Sequence, residues 1–376
     1  MKDQSYLHCD QLLATALVVV LTLLGQFVSI APVTAQSSEM FGLVVKGKKF
    51  TGQILFRDSE TLTLLRRDGA LATYSSLDVD RVVELGTALH PYSSHELEKR
   101  LINEFSEDYS VRITDHFAVV YPSSSAFGWP RAFERLYGQF IYYFEARSFA
   151  MKSPEFPLIA VVLKTRAEFD RYLKQTALRD QSNVVGFYSM QSNRIVTYDQ
   201  ASLATGPGFN QDNLTTVIHE ATHQSAYNTG IHARFQPLPR WVSEGLATMF
   251  EAKGVYSSAE FPEQRDRLAA DYFRNLQHLI DTKTFRGKIE SLVRNDEMFD
   301  ADPRSAYAVA WGLTFFLAEN RPEEYQSYMR HTAQRGSVSN FNAEHRLSEF
   351  STVFGDEIRD LETRMIRFYE NFRSKP

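Results

Sequence analysis

Asn213-Leu214-Thr215-Thr216-Val217-Ile218-His219-Glu220-Ala221-Thr222-His223 is a helix-forming run in the middle of the chain, with Asp212 or Asn213 suited to its N-cap. Positions i and i+4 of a helix share one face, so His219 and His223 emerge together and two imidazoles can grip one ion. Glu220 flanks the same face, beside the ion and not on it, where a general base for an attacking water must stand. A metal that performs chemistry keeps three protein ligands and one open position. Glu244 is the candidate third ligand, 21 residues after His223, within 239–250, which reads as a second helix begun after two prolines. The loop between them, with Gly230 and Pro237, has the length to turn the chain and lay the second helix beside the first. Gly245, next to the ligand, permits close helix approach.

At His219-Glu220-Ala221-Thr222-His223 and Trp241-Val242-Ser243-Glu244-Gly245-Leu246-Ala247 the sequence resembles the gluzincin zinc metallopeptidases, within them the peptidase-MA-like families. The likeness runs more loosely over about residues 110–370, nearest to secreted bacterial members of uncharacterised function. It implies zinc held by His219, His223 and Glu244, a water activated by Glu220, and a sheet edge strand beside the cleft. Such enzymes also commonly stabilise the oxyanion with a tyrosine or histidine on a helix beyond the third ligand. Tyr307, amid the small residues of 305–312, is the candidate here, and His232 in the connecting loop is the next. In the best-known gluzincins an acid four positions after the third ligand supports a ligand histidine. This chain has Thr248 there, which leaves Glu251 as the candidate substitute.

Outward from the motif, everything beyond Asn213 is helical in pattern, and the residues before it alternate strand and helix signals. Residues 186–188 and 194–198 flank a polar turn and predict a hairpin just ahead of the metal helix, an edge to which an extended peptide can add. Residues 111–113, 117–121 and the continuous apolar run 158–163 predict further strands, and 129–144 and 167–173 predict helices. Residues 89–109 read as a helical linker. Residues 40–88 read as a small SH3-like or Sm-like β-barrel, with strands at 52–56, 61–65 and 70–74 and an Asp68-Gly69 turn. The expected class is therefore α+β: a small N-terminal barrel, then a gluzincin-like catalytic domain over 110–376 with a mixed sheet and a mainly helical C-terminal half.

Composition narrows the function. A net charge of -5, without a basic stripe, argues against nucleic acid as a partner and leaves a peptide or protein substrate. The one cysteine, Cys9, precedes the first apolar run, so any metal must be held by His, Asp or Glu. Lys2, the apolar stretch 12–30 and Val33-Thr34-Ala35 form the layout of a secretory signal peptide over 1–35; the competing reading is an uncleaved anchor, the one case that involves the membrane. Both put the body of the protein outside the cytoplasm. The rivals to a peptidase are an amidase on the same site, and an inactive secreted or anchored binding protein that keeps the metal helices as scaffold. N-terminal sequencing of exported protein is expected to begin at or near Gln36; recovery of intact Met1 in a membrane fraction would establish the anchor instead.

Overall fold

Short alternating runs separated by Gly and Asp turns build the first sheet of the computed structural model, which describes residues 39–175, 184–199, 211–335, 341–355 and 357–372. The signal segment 1–35 lies outside these residues. Strands β1 (Glu39–Val45), β2 (Lys48–Arg57), β3 (Thr61–Arg66), β4 (Leu71–Ser75) and β5 (Val79–Ala88) form an antiparallel sheet in the order β4-β3-β2-β1-β5. Leu43, Val45, Leu62 and Leu64 make its small core. The expected barrel is corrected here: β4 and β5 are the two edges and do not pair. Among the strands β4 pairs with β3, and β5, after a three-residue 3-10 turn, runs along β1, so no common register remains to close the sheet.

Helix α1 (Ser94–Glu104) is closed at its N-terminus by a reciprocal capping box between Ser93 and Glu96. It is packed into the main body through Leu97 and Leu101. The second sheet contains β6 (Tyr109–Ile113), β7 (Phe117–Pro122), β8 (Leu158–Leu163), β9 (Gly186–Ser189) and β10 (Arg194–Tyr198), in the order β6-β7-β8-β10-β9. Pairs β7/β8 and β8/β10 are parallel, while β6/β7 and β9/β10 are antiparallel, so the sheet is mixed as predicted. Helices α2 (Trp129–Glu145) and α3 (Arg166–Gln175) supply the crossovers. Side chains alternate across a strand. Ile159 and Val161 of β8 therefore meet Leu97, Leu101 and Phe169, and Leu158, Ala160 and Val162 meet Phe133 and Tyr137 on the opposite face. Cover on both faces is why β8 is apolar at every position.

The second half is helical: α4 (Gln211–Asn228), α5 (Arg240–Phe250), α6 (Lys253–Tyr256), α7 (Ala270–Asp281), α8 (Lys288–Arg294), α9 (Glu297–Ala301), α10 (Pro303–Asn320), α11 (Pro322–Gln334), α12 (Ala343–Phe354) and α13 (Ile358–Glu370). Helix α4 starts two residues before Asn213, so both expected caps fall in its first turn. Helix α10 is buried from Ser305 to Ala318 and forms the axis around which α5, α7 and α13 pack. Among the described residues no helix is long and apolar enough to cross a membrane.

The two sheets meet at their turns. The Leu71 N–H donates to the Gln191 carbonyl at 2.7 Å, Gly69 takes φ +77° against Phe156 and Asn193, and Arg67 grips Glu96 with two nitrogens at 3.1 Å. In the helical half the closest approach is α5 on α10: a Cβ on Gly245 would stand 2.6 Å from the Ala310 carbonyl oxygen and 2.1 Å from Thr314 Oγ1. Gly245→Ala is therefore expected to destabilise the fold by about 1–3 kcal/mol, the usual cost of overpacking, measured by denaturant unfolding. An unchanged unfolding midpoint would show that α5 and α10 can separate freely.

Candidate metal centre

Helix α4 lies between the second sheet and α5, and its motif face is turned wholly inward. His219, Glu220 and Glu244 are 0% exposed and His223 1%. One nitrogen of each histidine and one oxygen of Glu244 come together with all separations within 4.8 Å. The two Nε2 atoms are 3.0 Å apart, and Glu244 Oε2 lies 3.4 Å from that of His219 and 3.8 Å from that of His223. His219, His223 and Glu244 can thus hold one metal ion.

The surrounding groups orient these ligands. Glu251 Oε1 stands 2.7 Å from His219 Nδ1 and also accepts from the Tyr272 hydroxyl at 3.2 Å. A carboxylate at Nδ1 keeps the proton there and leaves the Nε2 lone pair for a metal. Glu251 therefore fills the role for which the sequence proposed it, one helical turn beyond the usual position. Thr248 donates instead to its own helix, to the Glu244 carbonyl at 2.7 Å and the Gly245 carbonyl at 3.1 Å. Glu220 is fixed from the sheet: the Tyr188 N–H of β9 donates to its Oε2 at 2.6 Å, while Oε1 has no hydrogen-bond partner.

Electrostatics show what the cavity lacks. Burial drives the Glu220 carboxyl up to about 8, against the opposing pull of His219 and the Tyr188 N–H. Burial also pulls the His219 imidazolium down, but Glu244 and Glu251 outweigh it and hold that group up at about 10. His223 is pushed well below the usual imidazole range by burial and by the charge of His219. Arg240 adds a guanidinium beside Glu244, its Nε 4.0 Å from Oε1. Both carboxylate oxygens of Glu244 lack a hydrogen-bond donor. Two imidazole nitrogens and a carboxylate whose oxygens lack donors, gathered within 4.8 Å of one another, fit a metal ion.

Tyr307 of α10 lies in the same buried region. Its hydroxyl is close enough to Glu244 and Arg240 to couple with both, and burial followed by the charge of Glu244 raises its pKa well above the phenol value. His232 is also buried, with both ring nitrogens unpartnered and its ring 5.2 Å from that of Tyr227; burial lowers its pKa to about 3. Sequence reasoning missed Arg240 and Tyr272. The i,i+4 spacing of Arg240 to Glu244 was a usable signal, whereas Tyr272 reaches the site from α7 with no pattern to announce it.

A family model described as "Protein of unknown function (DUF1570)" matches residues 213–339, about a third of the chain, from the metal helix through α11. The match contains His219, Glu220, His223, Glu244, Glu251 and Tyr307. Comparison with curated proteins returns no match. Two substitutions test the centre. His223→Ala is expected to abolish stoichiometric metal binding, and Glu251→Gln to weaken it by about 10–100-fold, the usual effect of losing a carboxylate behind a ligand histidine. Titration against a competing chelator reads both; a full equivalent of metal retained by His223→Ala would refute the ligand set.

Proposed function

We propose that this protein is an exported zinc-dependent hydrolase, a peptidase of gluzincin type. The observation that carries the reading is the meeting of three ligand atoms, with the buried carboxyl of Glu220, one oxygen of which is bare, coupled electrostatically to His219 and Glu244. The order of the motifs supports it, with His219-Glu220-Ala221-Thr222-His223 followed by Trp241-Val242-Ser243-Glu244-Gly245-Leu246-Ala247. Zinc suits two imidazoles and one carboxylate, and when bound it supplies Lewis-acid polarisation of a carbonyl and a water of lowered pKa.

The chain's own residues do the rest. Tyr188 holds Glu220 by Oε2, so Oε1 is the oxygen that takes a proton from the attacking water and returns it to the leaving amine. Tyr307, with its hydroxyl uncommitted, donates to the oxygen on which negative charge develops. The buried surroundings strengthen each of these interactions. The edge of β9, expected to accept an extended peptide, is closed to one. Gly186, Phe187 and Tyr188 are buried, and the outward N–H of Tyr188, which an added strand needs, is already engaged by Glu220. The burial of the ligands favours the rival of an inactive scaffold; against it stand the uncommitted Oε1 of Glu220 and hydroxyl of Tyr307, for which a purely structural site has no use.

Digestion of a peptide library with and without chelator tests the proposal. Chelator-sensitive cleavage is expected, abolished by Glu220→Gln at unchanged metal content and slowed roughly 10²–10³-fold in kcat by Tyr307→Phe, the range for removal of one oxyanion donor. Full turnover by Glu220→Gln would sink the general-base role.

A further inference from the structure

Arg240 opens α5 one turn before Glu244, and its side chain is nine-tenths buried. Its guanidinium lies 4.6 Å over the ring of Phe299, and the same ring meets Tyr307 edge-on at 5.2 Å. Phe299 is thus a common floor that holds a guanidinium and a phenol side by side next to the metal ligand. The Arg240 donors are only partly committed. Nε lies 4.0 Å from Glu244 Oε1, beyond hydrogen-bond reach, the side chain couples to the Tyr307 hydroxyl, and Nη1 meets Asp300 at 3.3 Å, whose side chain is 84% exposed. Solvent around Asp300 screens that contact, so it is readily exchanged. Glu244, engaged by a metal, makes no further demand on the arginine.

We propose that Arg240 is the residue that recognises substrate, binding a carboxylate next to the scissile bond. The peptidase would then act on peptides that present an anionic group there, either the free C-terminal carboxylate or an acidic side chain. A guanidinium offers a planar fork of donors that matches a carboxylate with two parallel bonds. It is preorganised here, because the Phe299 ring fixes one face and the Arg240 backbone N–H is held by Asp296 at 3.1 Å. Its reach from exposed Asp300 to buried Glu244 marks the side from which an anion can enter and displace Asp300. The positive charge also lies where a substrate anion replaces the lost Asp300 contact, so an incoming carboxylate finds its partner already desolvated.

This inference rests on the peptidase reading, and binding separates the two. The metal-loaded Glu220→Gln protein is titrated with N-acetyl-phenylalanine, its amide, and an amidated acetyl-aspartate, in calorimetry, and again with Arg240→Gln and Arg240→Lys added. The expected result is that one of the acids binds roughly 30-fold or more tightly than the neutral amide, as for a desolvated charge pair. Preference for N-acetyl-phenylalanine assigns the C-terminal carboxylate, and preference for the amidated aspartate assigns the side chain. Arg240→Gln should bring acid and amide within about twofold at unchanged metal content, and Arg240→Lys should restore part of the difference by charge without the fork. Equal binding of acids and amide, or a preference that survives Arg240→Gln, overturns the proposal. Loss of the metal together with the preference also overturns it, since Arg240 would then be a support for Glu244. Acid preference in Glu220→Gln together with no peptide cleavage by the wild-type protein keeps this inference and ends the peptidase reading; wild-type cleavage of peptides with and without the anionic group at equal rates does the reverse.

Discussion

Burial of the Glu244 carboxylate beside two imidazoles is the interaction on which the helical half depends. A charge in the interior is tolerated only when opposite charge or donors surround it. Here α4 brings the histidines, α5 brings the acid, and both helices must approach closely enough for the three groups to meet. Gly245 allows this by letting α10 come against the back of α5, with Ala310 and Thr314 filling the space a side chain would occupy. Helix α10, apolar around its whole circumference, is then the support of the centre more than a surface element. Glu251 and Tyr272 complete the arrangement from behind His219, so one imidazole is oriented from a helix and a half away in sequence terms and from two different elements in space.

Glu220 is positioned by a different route. Its Oε2 hangs on the Tyr188 N–H, and β9 is in turn held through its turn. Asn193, at φ 56° and fully buried, accepts from the Tyr188 hydroxyl at 2.8 Å, exchanges bonds with Asn228, and offers its carbonyl to Gln224 at 2.8 Å. Arg234 Nε reaches the Met190 carbonyl at 3.0 Å, and Leu71 of the first sheet takes the Gln191 carbonyl. Helix α4 thus grips the turn with its last residues, Gln224 and Asn228, while its middle carries the acid that the same hairpin fixes. The first sheet braces this hairpin, which gives the N-terminal unit a mechanical part in the site whatever else it binds. Groups mounted on helices and strands and locked by packed neighbours keep the narrow tolerances that chemistry requires.

Charge sorts the rest of the neighbourhood. Arg240 stands between the buried candidate ligand Glu244 and exposed Asp300. Tyr307 and Arg240 both pack on Phe299, so one aromatic ring fixes the two polar groups on the α5–α10 side.

The candidate ligand histidines were legible in the sequence because helical periodicity is local: a spacing of four positions between His219 and His223 places both on one face whatever the fold. The same holds for the buried strand at Leu158–Leu163 and the hairpin before α4, whose patterns depend on neighbours within a few residues. Glu251 was legible only as one of two readings, since its spacing from Glu244 allowed a surface carboxylate equally well. The openness of the first sheet was not legible, because closure depends on whether β4 and β5 find a common register, a property of curvature accumulated over five strands. Nor were Tyr272, the grip of Tyr188 on Glu220, and the shared floor of Arg240 and Tyr307, each of which joins elements separated by 21 to 67 positions. Sequence by itself determined which residues can ligate and on which helical face they lie; only the tertiary structure decided which donors each carboxylate meets, because packing between distant elements, and not spacing along the chain, sets those distances.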